Sequence, residues 1–314
     1  MTRPALISVV VPAYNEELVL GDLHREVSRV MSALPHEYEF VLVDDGSRDA
    51  TPDIIRDLAA HDPHVRGVLL SRNFGHEAAI EAGLRATRGD AVIVMDADLQ
   101  DGPEVLPRLI DAWEEGAGVA YAVRTERKES LPLRAAFSLF YRTAGRMMSI
   151  DLPRDAGPFS LMDRQVVDVL NTMPEKGRYF PGLRAFAGFR QVGVTAERHE
   201  RAGGETKYSL VKRSVGATNA IFSFSKVPLR LMTLMGVAMA ILALAGLIWV
   251  LVGVAIGTST ARGWASAMAI GFLISAVIFF FMAILGEYIG KIYDEVRARP
   301  NYVVAEQVPG APDD

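Results

Sequence analysis

From Leu231 to Thr260 the chain carries no charged residue, and beyond the single interruption at Arg262 the stretch Gly263–Gly286 is uncharged as well. Each run exceeds the roughly 20 apolar residues that cross a bilayer core. A buried core hairpin is the competing interpretation, but two such long runs back to back rarely fit one soluble core. They predict a hairpin of two transmembrane helices over residues 229–288. Residues 1–228 then form a separate domain of ordinary soluble composition, and residues 289–314 a tail. The average hydropathy of +0.19 hides this division. Basic residues set the expected orientation. Lys212, Arg213, Lys226 and Arg230 precede the first run, Lys291, Arg297 and Arg299 follow the second, and the connection carries only Arg262. By the positive-inside rule both termini and the first domain are expected to be cytoplasmic. Met1-Thr2-Arg3-Pro4-Ala5 leads into a strand without a signal-peptide pattern, which agrees.

The first domain alternates strand and helix patterns. Strands are predicted at Leu6–Val11, Tyr38–Val43, Val65–Leu70, from Ala91, at Val119–Val123 and at Val192–Arg198. Helices are predicted at Glu17–Ala33, from Ser47 or Asp49 as N-cap to Ala60, at Glu77–Thr87, from Pro103, and at Asp163–Met173. This alternation predicts an α/β fold with a Rossmann-like, mostly parallel sheet. Two basic amphipathic stretches, 131–149 and 209–226, suit either a membrane interface or packing on the sheet. The chain has no cysteine, which excludes disulfides and thiolate metal sites, and its net charge of −5 argues against a nucleic-acid partner. No glycine-rich dinucleotide fingerprint or Gly-x-x-x-x-Gly-Lys loop follows any strand.

Chemistry concentrates where strands end. The first strand runs into Glu16, the second into Asp44 and Asp45, the fourth into Asp96 and Asp98. In an open α/β sheet these ends share the edge at which ligands bind. Asp96-Ala97-Asp98 follows an apolar run, and at strand period the two carboxylates face one way. Like charges aimed at one point call for a cation between them. Hard oxygen donors suit Mg²⁺ or Mn²⁺ bound together with substrate phosphates. A solvated strand-to-loop turn would carry the same tripeptide.

Five motifs in order, with the apolar hairpin behind them, resemble the family-2 glycosyltransferases of the GT-A fold, and more narrowly their polyisoprenyl-phosphate sugar transferases. The motifs are Val11-Pro12-Ala13-Tyr14-Asn15-Glu16-Glu17, Asp44-Asp45-Gly46-Ser47-Arg48-Asp49, Ser71-Arg72-Asn73-Phe74-Gly75-His76, Asp96-Ala97-Asp98-Leu99-Gln100-Asp101 and Gly204-Glu205-Thr206-Lys207-Tyr208. The resemblance spans Ser8 to about Tyr302. It implies that Pro12, Tyr14, Glu16, Asp44 and Asp45 hold a nucleotide's base and ribose. It assigns Asp96, Ala97, Asp98 and Gln100 to the metal and diphosphate, with Asp96, Asp98 and Gln100 as metal ligands. It assigns Arg124 to the diphosphate, and Arg201 and Lys207 to a basic loop closing over the phosphates. Many relatives read Asp-x-Gly-Asp-Phe where this chain has Asp155-Ala156-Gly157-Pro158-Phe159, so the second acid is absent. Asp155 is then the candidate base, or a group that orients a basic residue. His76, Lys128 and Arg134 are polar candidates for the cleft, with a structural or solvated role as the simpler expectation.

The implied reaction is inverting transfer of a hexose from a nucleotide sugar to a polyisoprenyl phosphate at the cytoplasmic leaflet, with glucose and UDP favoured over GDP-mannose. A processive polysaccharide synthase would carry Gln-x-x-Arg-Trp and more spans, and Arg198-His199-Glu200-Arg201 is a poor substitute. A non-catalytic nucleotide-binding membrane protein is the third alternative, which the acids and basic loop disfavour. Small residues at Gly236, Ala240, Ala243 and Gly246 would allow close helix packing, so a homo-oligomer is a candidate. The tail is expected to be ordered near Tyr302 and disordered beyond it.

Overall fold

The computed structural model describes residues 5–99, 102–124, 156–176, 178–196, 227–256 and 263–308. The chain divides into two compact units. The first holds a sheet with its helices, and the segment from Pro300 onward rejoins it. The second holds two long helices.

In chain order the elements are β1 (Leu6–Ala13), α1 (Leu20–Met31), β2 (Glu37–Asp44), α2 (Thr51–His61), β3 (Val65–Leu70), α3 (His76–Ala86), β4 (Ala91–Val94), a 3-10 turn (Pro103–Val105), α4 (Leu106–Glu114) and β5 (Val119–Arg124). Then follow β6 (Ala156–Asp163), α5 (Arg164–Thr172), α6 (Phe180–Phe186), β7 (Gln191–Ala196), α7 (Val227–Ala255), α8 (Trp264–Val296) and β8 (Val304–Val308). The strands lie side by side in the order β7-β5-β6-β4-β1-β2-β3-β8. The central strands β4, β1, β2 and β3 are parallel, and β7 is parallel to β5. The strands β6 and β8 run antiparallel to their neighbours, so the sheet is mixed and mostly parallel.

Helices cover both faces of the central strands, which is why those strands read as unbroken apolar runs. Side chains alternate along β1. Ile7, Val9 and Val11 join the core built with Leu20, Leu23 and Val27 of α1, Ile55 of α2 and Leu106 and Leu109 of α4. Val10 faces the other way, toward α3. There Gly83 lets the helix settle on the sheet: a Cβ at that position would overlap Val10 and come within 3.1 Å of Val43 Cγ2. The proline in β1 is tolerated because β4 pairs with β1 only as far as Val10, leaving Pro12 opposed by Val43 of β2 alone.

Two strands escape the sequence pattern. In β6 the breakers Gly157 and Pro158 sit inside the strand, yet Ser160 pairs with Val94 and Ala156 with Val123. The second is β8. Disorder was expected beyond Tyr302, and instead Val304–Val308 closes the outer edge of β3. The edge of β3 would otherwise present unpaired backbone groups, and β8 supplies partners for them. Three contacts hold it there: Ser71 N–H to the Val303 carbonyl at 2.9 Å, Arg56 to Glu306 at 2.8 Å, and Asn301 Nδ2 to Glu81 Oε2 at 2.8 Å.

In the second unit α7 spans Val227–Ala255 and α8 runs on to Val296, past the end of the uncharged sequence. Among the described residues one stretch is long and apolar enough to cross a membrane: Leu273–Val296 of α8, with mean hydropathy 2.1 and none of it buried. Met232–Gly246 of α7 is a shorter apolar stretch. The amphipathic stretches 131–149 and 209–226, with Lys128 and Arg134, lie outside the described residues.

Ending the chain before Val304 removes β8 and bares the edge of β3. Backbone amides of β3 should then exchange with solvent about tenfold faster or more, as read by hydrogen exchange with mass spectrometry. Unchanged protection of Gly67–Leu70 would show that β8 is dispensable to the sheet.

Candidate active site

Parallel pairing carries the ends of β1, β2 and β4 to one edge of the sheet. Because β6 is antiparallel to both β4 and β5, the end of β5 at Arg124 and the beginning of β6 reach the same edge. The loops above it carry the acidic residues.

Asp44 and Asp45 are nearly inaccessible, at 2% and 3% exposure. Asp44 ends β2, and both its oxygens face the Ser47 N–H, at 3.1 and 3.2 Å. Asp45 accepts from the N–H groups of Phe74 (2.7 Å) and Gly75 (3.0 Å) at the start of α3, while its own N–H donates to the Ala13 carbonyl at 2.9 Å. Burial raises the pKa of both carboxyls above 3.8, and these N–H groups act in the opposite direction. Directly after Asp45, Gly46 adopts φ 67°, and a methyl group there would overlap the Arg72 backbone and lie 2.6 Å from the Asn73 nitrogen.

The loop after β1 is bonded to the loop after β2. Asn15, at φ 54°, donates its N–H to the Ser47 hydroxyl (2.9 Å) and accepts the Arg48 N–H on Oδ1 (2.9 Å). The Glu16 N–H reaches the Thr51 hydroxyl at 2.9 Å, and the Glu17 carboxylate accepts the Ala50 N–H at 2.9 Å. Pro12 is buried in β1, while Tyr14 and Glu16 are half-buried above it. The Glu16 carbonyl accepts the N–H groups of Val19 and Leu20, each at 3.1 Å, which starts α1.

The second acidic pair is placed differently. The strand β4 stops at Val94, so Asp96 and Asp98 lie in the following loop, where Leu99 has φ 54°. Strand alternation therefore does not reach Asp98, which corrects the expectation that strand period aligns the two carboxylates. Ala97 between them is buried at 5%, and the Asp96 side chain keeps 31% exposure. The His76 ring, first in α3, brings Nε2 to 3.5 Å from Asp96 Oδ1. The next residue, Glu77, is half-buried, with its carboxyl at the enclosed end. Burial raises its pKa, opposed by His76 and by the Phe180 N–H that it accepts at 3.2 Å.

The structure thus gathers Pro12, Tyr14, Glu16, Asp44, Asp45, Asp96, Ala97, Asp98 and the end of β5 at Arg124 along one edge. Gln100, Asp155, Arg201 and Lys207 lie outside the described residues. His76, a polar candidate for the cleft whose simpler expectation is a structural or solvated role, is beside Asp96, and Glu77 is not among the residues that the sequence singles out. The signal is their place at the end of the Ser71–His76 motif and directly after it, at the start of a helix. Among the described residues no three acids or histidines converge as a metal cage. Two carboxylates nevertheless fit Mg²⁺ or Mn²⁺, since such ions take one or two from the protein and the rest from phosphates and water. The partial exposure of Asp96 suits that share.

The sequence profile described as glycosyl transferase family 2 matches residues 8–170. A Bacillus subtilis protein designated uncharacterized glycosyltransferase YkcC is 41% identical over 305 residues, covering 97% of this chain and 94% of that one. The chain belongs to glycosyl transferase family 2. It is a glycosyltransferase, and its mixed, mostly parallel sheet is GT-A-like. The bactoprenol glucosyl transferase of Shigella phage SfX is 36% identical to this glycosyltransferase over 299 residues, 95% of this chain and 98% of that one. Among solved structures, a mannosyltransferase from Pyrobaculum calidifontis, in complex with GDP-Man and Mn²⁺, aligns with TM-score 0.46 at 16% identity, over 94% of this chain and 88% of that one.

Two substitutions test the loop architecture of the glycosyltransferase. Gly46→Ala should cost about 2–4 kcal/mol in denaturant unfolding, because it adds both left-handed strain and overlap. Asp45→Asn keeps an oxygen for the Phe74 and Gly75 amides but removes the titration. With its pKa raised on folding, Asp45 binds more protons in the folded state just above pH 3.8, so its contribution to stability falls as pH rises through that window. Unfolding curves at a series of pH values should therefore show the variant gaining stability relative to the native chain as pH increases. A constant difference would contradict the assignment.

Proposed function

We propose that this glycosyltransferase moves glucose from UDP-glucose to a polyisoprenyl phosphate at the cytoplasmic face of a membrane, with inversion at the anomeric carbon. The observation that carries the proposal is the likeness to the bactoprenol glucosyl transferase of phage SfX, 36% identical over nearly the full length of both chains. An apolar helix fits an acceptor that cannot leave the bilayer. On this proposal α7 and α8 form the two spans, and the sheet unit works on the cytoplasmic side, as the basic residues flanking the helices favour.

The donor's uridine and ribose would rest against the Pro12–Glu16 and Asp44–Asp45 loops. Asp96 and Asp98, with Gln100, would hold Mg²⁺ or Mn²⁺, which when bound supplies counter-charge to the diphosphate. Arg124, Arg201 and Lys207 would add positive charge around the same phosphates. A phosphate oxygen of the lipid attacks the anomeric carbon from the face opposite the nucleotide. The new carbon–oxygen bond forms as the bond to UDP breaks, and UDP departs with the electron pair. A phosphate monoester is already ionised near neutral pH, so little proton removal is required. Asp155 would then serve mainly to orient the acceptor or a nearby cation.

The test is transfer of radiolabel to undecaprenyl phosphate by purified, detergent-solubilised protein, offered UDP-glucose, UDP-galactose and GDP-mannose in turn. Glucosyl lipid should form from UDP-glucose, disappear with chelator, and fall about 100-fold or more in Asp98→Ala. Labelling from GDP-mannose alone, or full activity in Asp98→Ala, would overturn the proposal.

A further inference from the structure

The first turn of α3 touches both halves of the site edge. Neighbouring residues on a helix point in different directions, and here the two directions are both occupied. His76 faces the loop after β4, with its Nε2 3.5 Å from Asp96 Oδ1. Glu77 faces α6, accepting the N–H of Phe180, the first residue of that helix, at 3.2 Å.

Helix α6 carries this contact onward. Arg184, on its last turn, is completely buried. Its guanidinium donates to the Ser160 hydroxyl at mid-strand and to the Gly157 carbonyl at the start of β6, the latter at 3.2 Å. It lies 5.6 Å from the ring of Phe180 and 5.9 Å from that of Tyr121. Helix α6 therefore holds the beginning of β6, where the chain arrives beside the end of β5.

Helix α3 is well fixed for this task. Asp45 grips the amides just ahead of it. Gly83 seats it against Val10 and Val43. Midway along it Glu81 pairs with Arg178 at 3.1 Å and accepts from Asn301 at 2.8 Å. A side chain carried on so constrained a helix transmits that constraint to what it touches.

We infer that His76 and Glu77 are positioning residues with separate duties: His76 orients Asp96 on the donor side, and Glu77 docks α6, and through Arg184 the start of β6, on the acceptor side. The inference rests on the donor and acceptor sides assigned under the proposed function. Neither residue touches the reacting atoms. His76 limits the rotamers of a carboxylate that stands on a short loop, and Glu77 sets the register between two helices.

The test separates the two duties with the full-length protein. Calorimetry with UDP and Mn²⁺ reads the donor side without any acceptor. Initial rates with UDP-glucose and undecaprenyl phosphate give both KM values. His76→Ala should weaken Mn²⁺-dependent UDP binding about tenfold and raise the donor KM alike, with the acceptor KM unchanged. Glu77→Ala should raise the acceptor KM and leave UDP binding unchanged. Glu77→Gln, which retains an oxygen for the Phe180 N–H, should restore the acceptor KM. Unchanged UDP affinity in His76→Ala would overturn the donor duty. Equal effects on both KM values in Glu77→Ala, tracking a lower melting temperature and not rescued by glutamine, would reduce that residue to a fold determinant. Because calorimetry needs no acceptor, failure of the lipid-phosphate proposal would leave the His76 duty to be decided by UDP affinity alone.

Discussion

The carboxylate of Asp45 holds the amides of Phe74 and Gly75, and much of the site depends on that grip. The bonds are sheltered from water, so removing the acid would leave buried donors unsatisfied, at a cost of about 1–3 kcal/mol. The grip fixes where α3 begins. The beginning of α3 in turn places His76 against Asp96 and Glu77 against α6. A buried acid can therefore govern two groups that stand further along the site edge.

Asp44, Asp45, Asp96 and Asp98 look alike in the sequence, as acids following apolar strands. The structure separates them by depth. The first two are buried and face backbone N–H groups, so their oxygens shape loops. The second pair follows a shorter strand and reaches a half-exposed loop. The difference arises from register: β2 pairs with β1 through Asp44, whereas β4 stops at Val94 opposite Val10. Cross-strand register depends on residues far apart in sequence, so no local pattern reveals it.

The sequence was most legible where one segment determines its own structure. Val65–Leu70 is a strand as its composition predicts, and Asp163 caps α5 by accepting the Gln165 N–H at 2.9 Å. Pro103 starts its turn as expected, though as a 3-10 turn ahead of α4. Of the two residues expected to cap α2, Ser47 gives its hydroxyl to the Asn15 N–H, whereas Asp49 accepts the Thr51 N–H at 3.0 Å. Legibility failed where a distant partner decides. Strand β6 contains glycine and proline and exists because β4 and β5 flank it. Glu77 resembles any solvated first-turn acid until Phe180 is brought alongside by the fold.

Strand β8 bears on the order in which the molecule can be made. It joins β3 across almost the whole chain, Val308 opposite Gly67. During synthesis β3 emerges early, while its final neighbour follows only after α7 and α8 have been translated. Until β8 has been made, the nascent enzyme carries an open sheet edge, the kind of surface on which partly made proteins aggregate or recruit chaperones. Completion of the sheet thus has to follow production of the apolar helices.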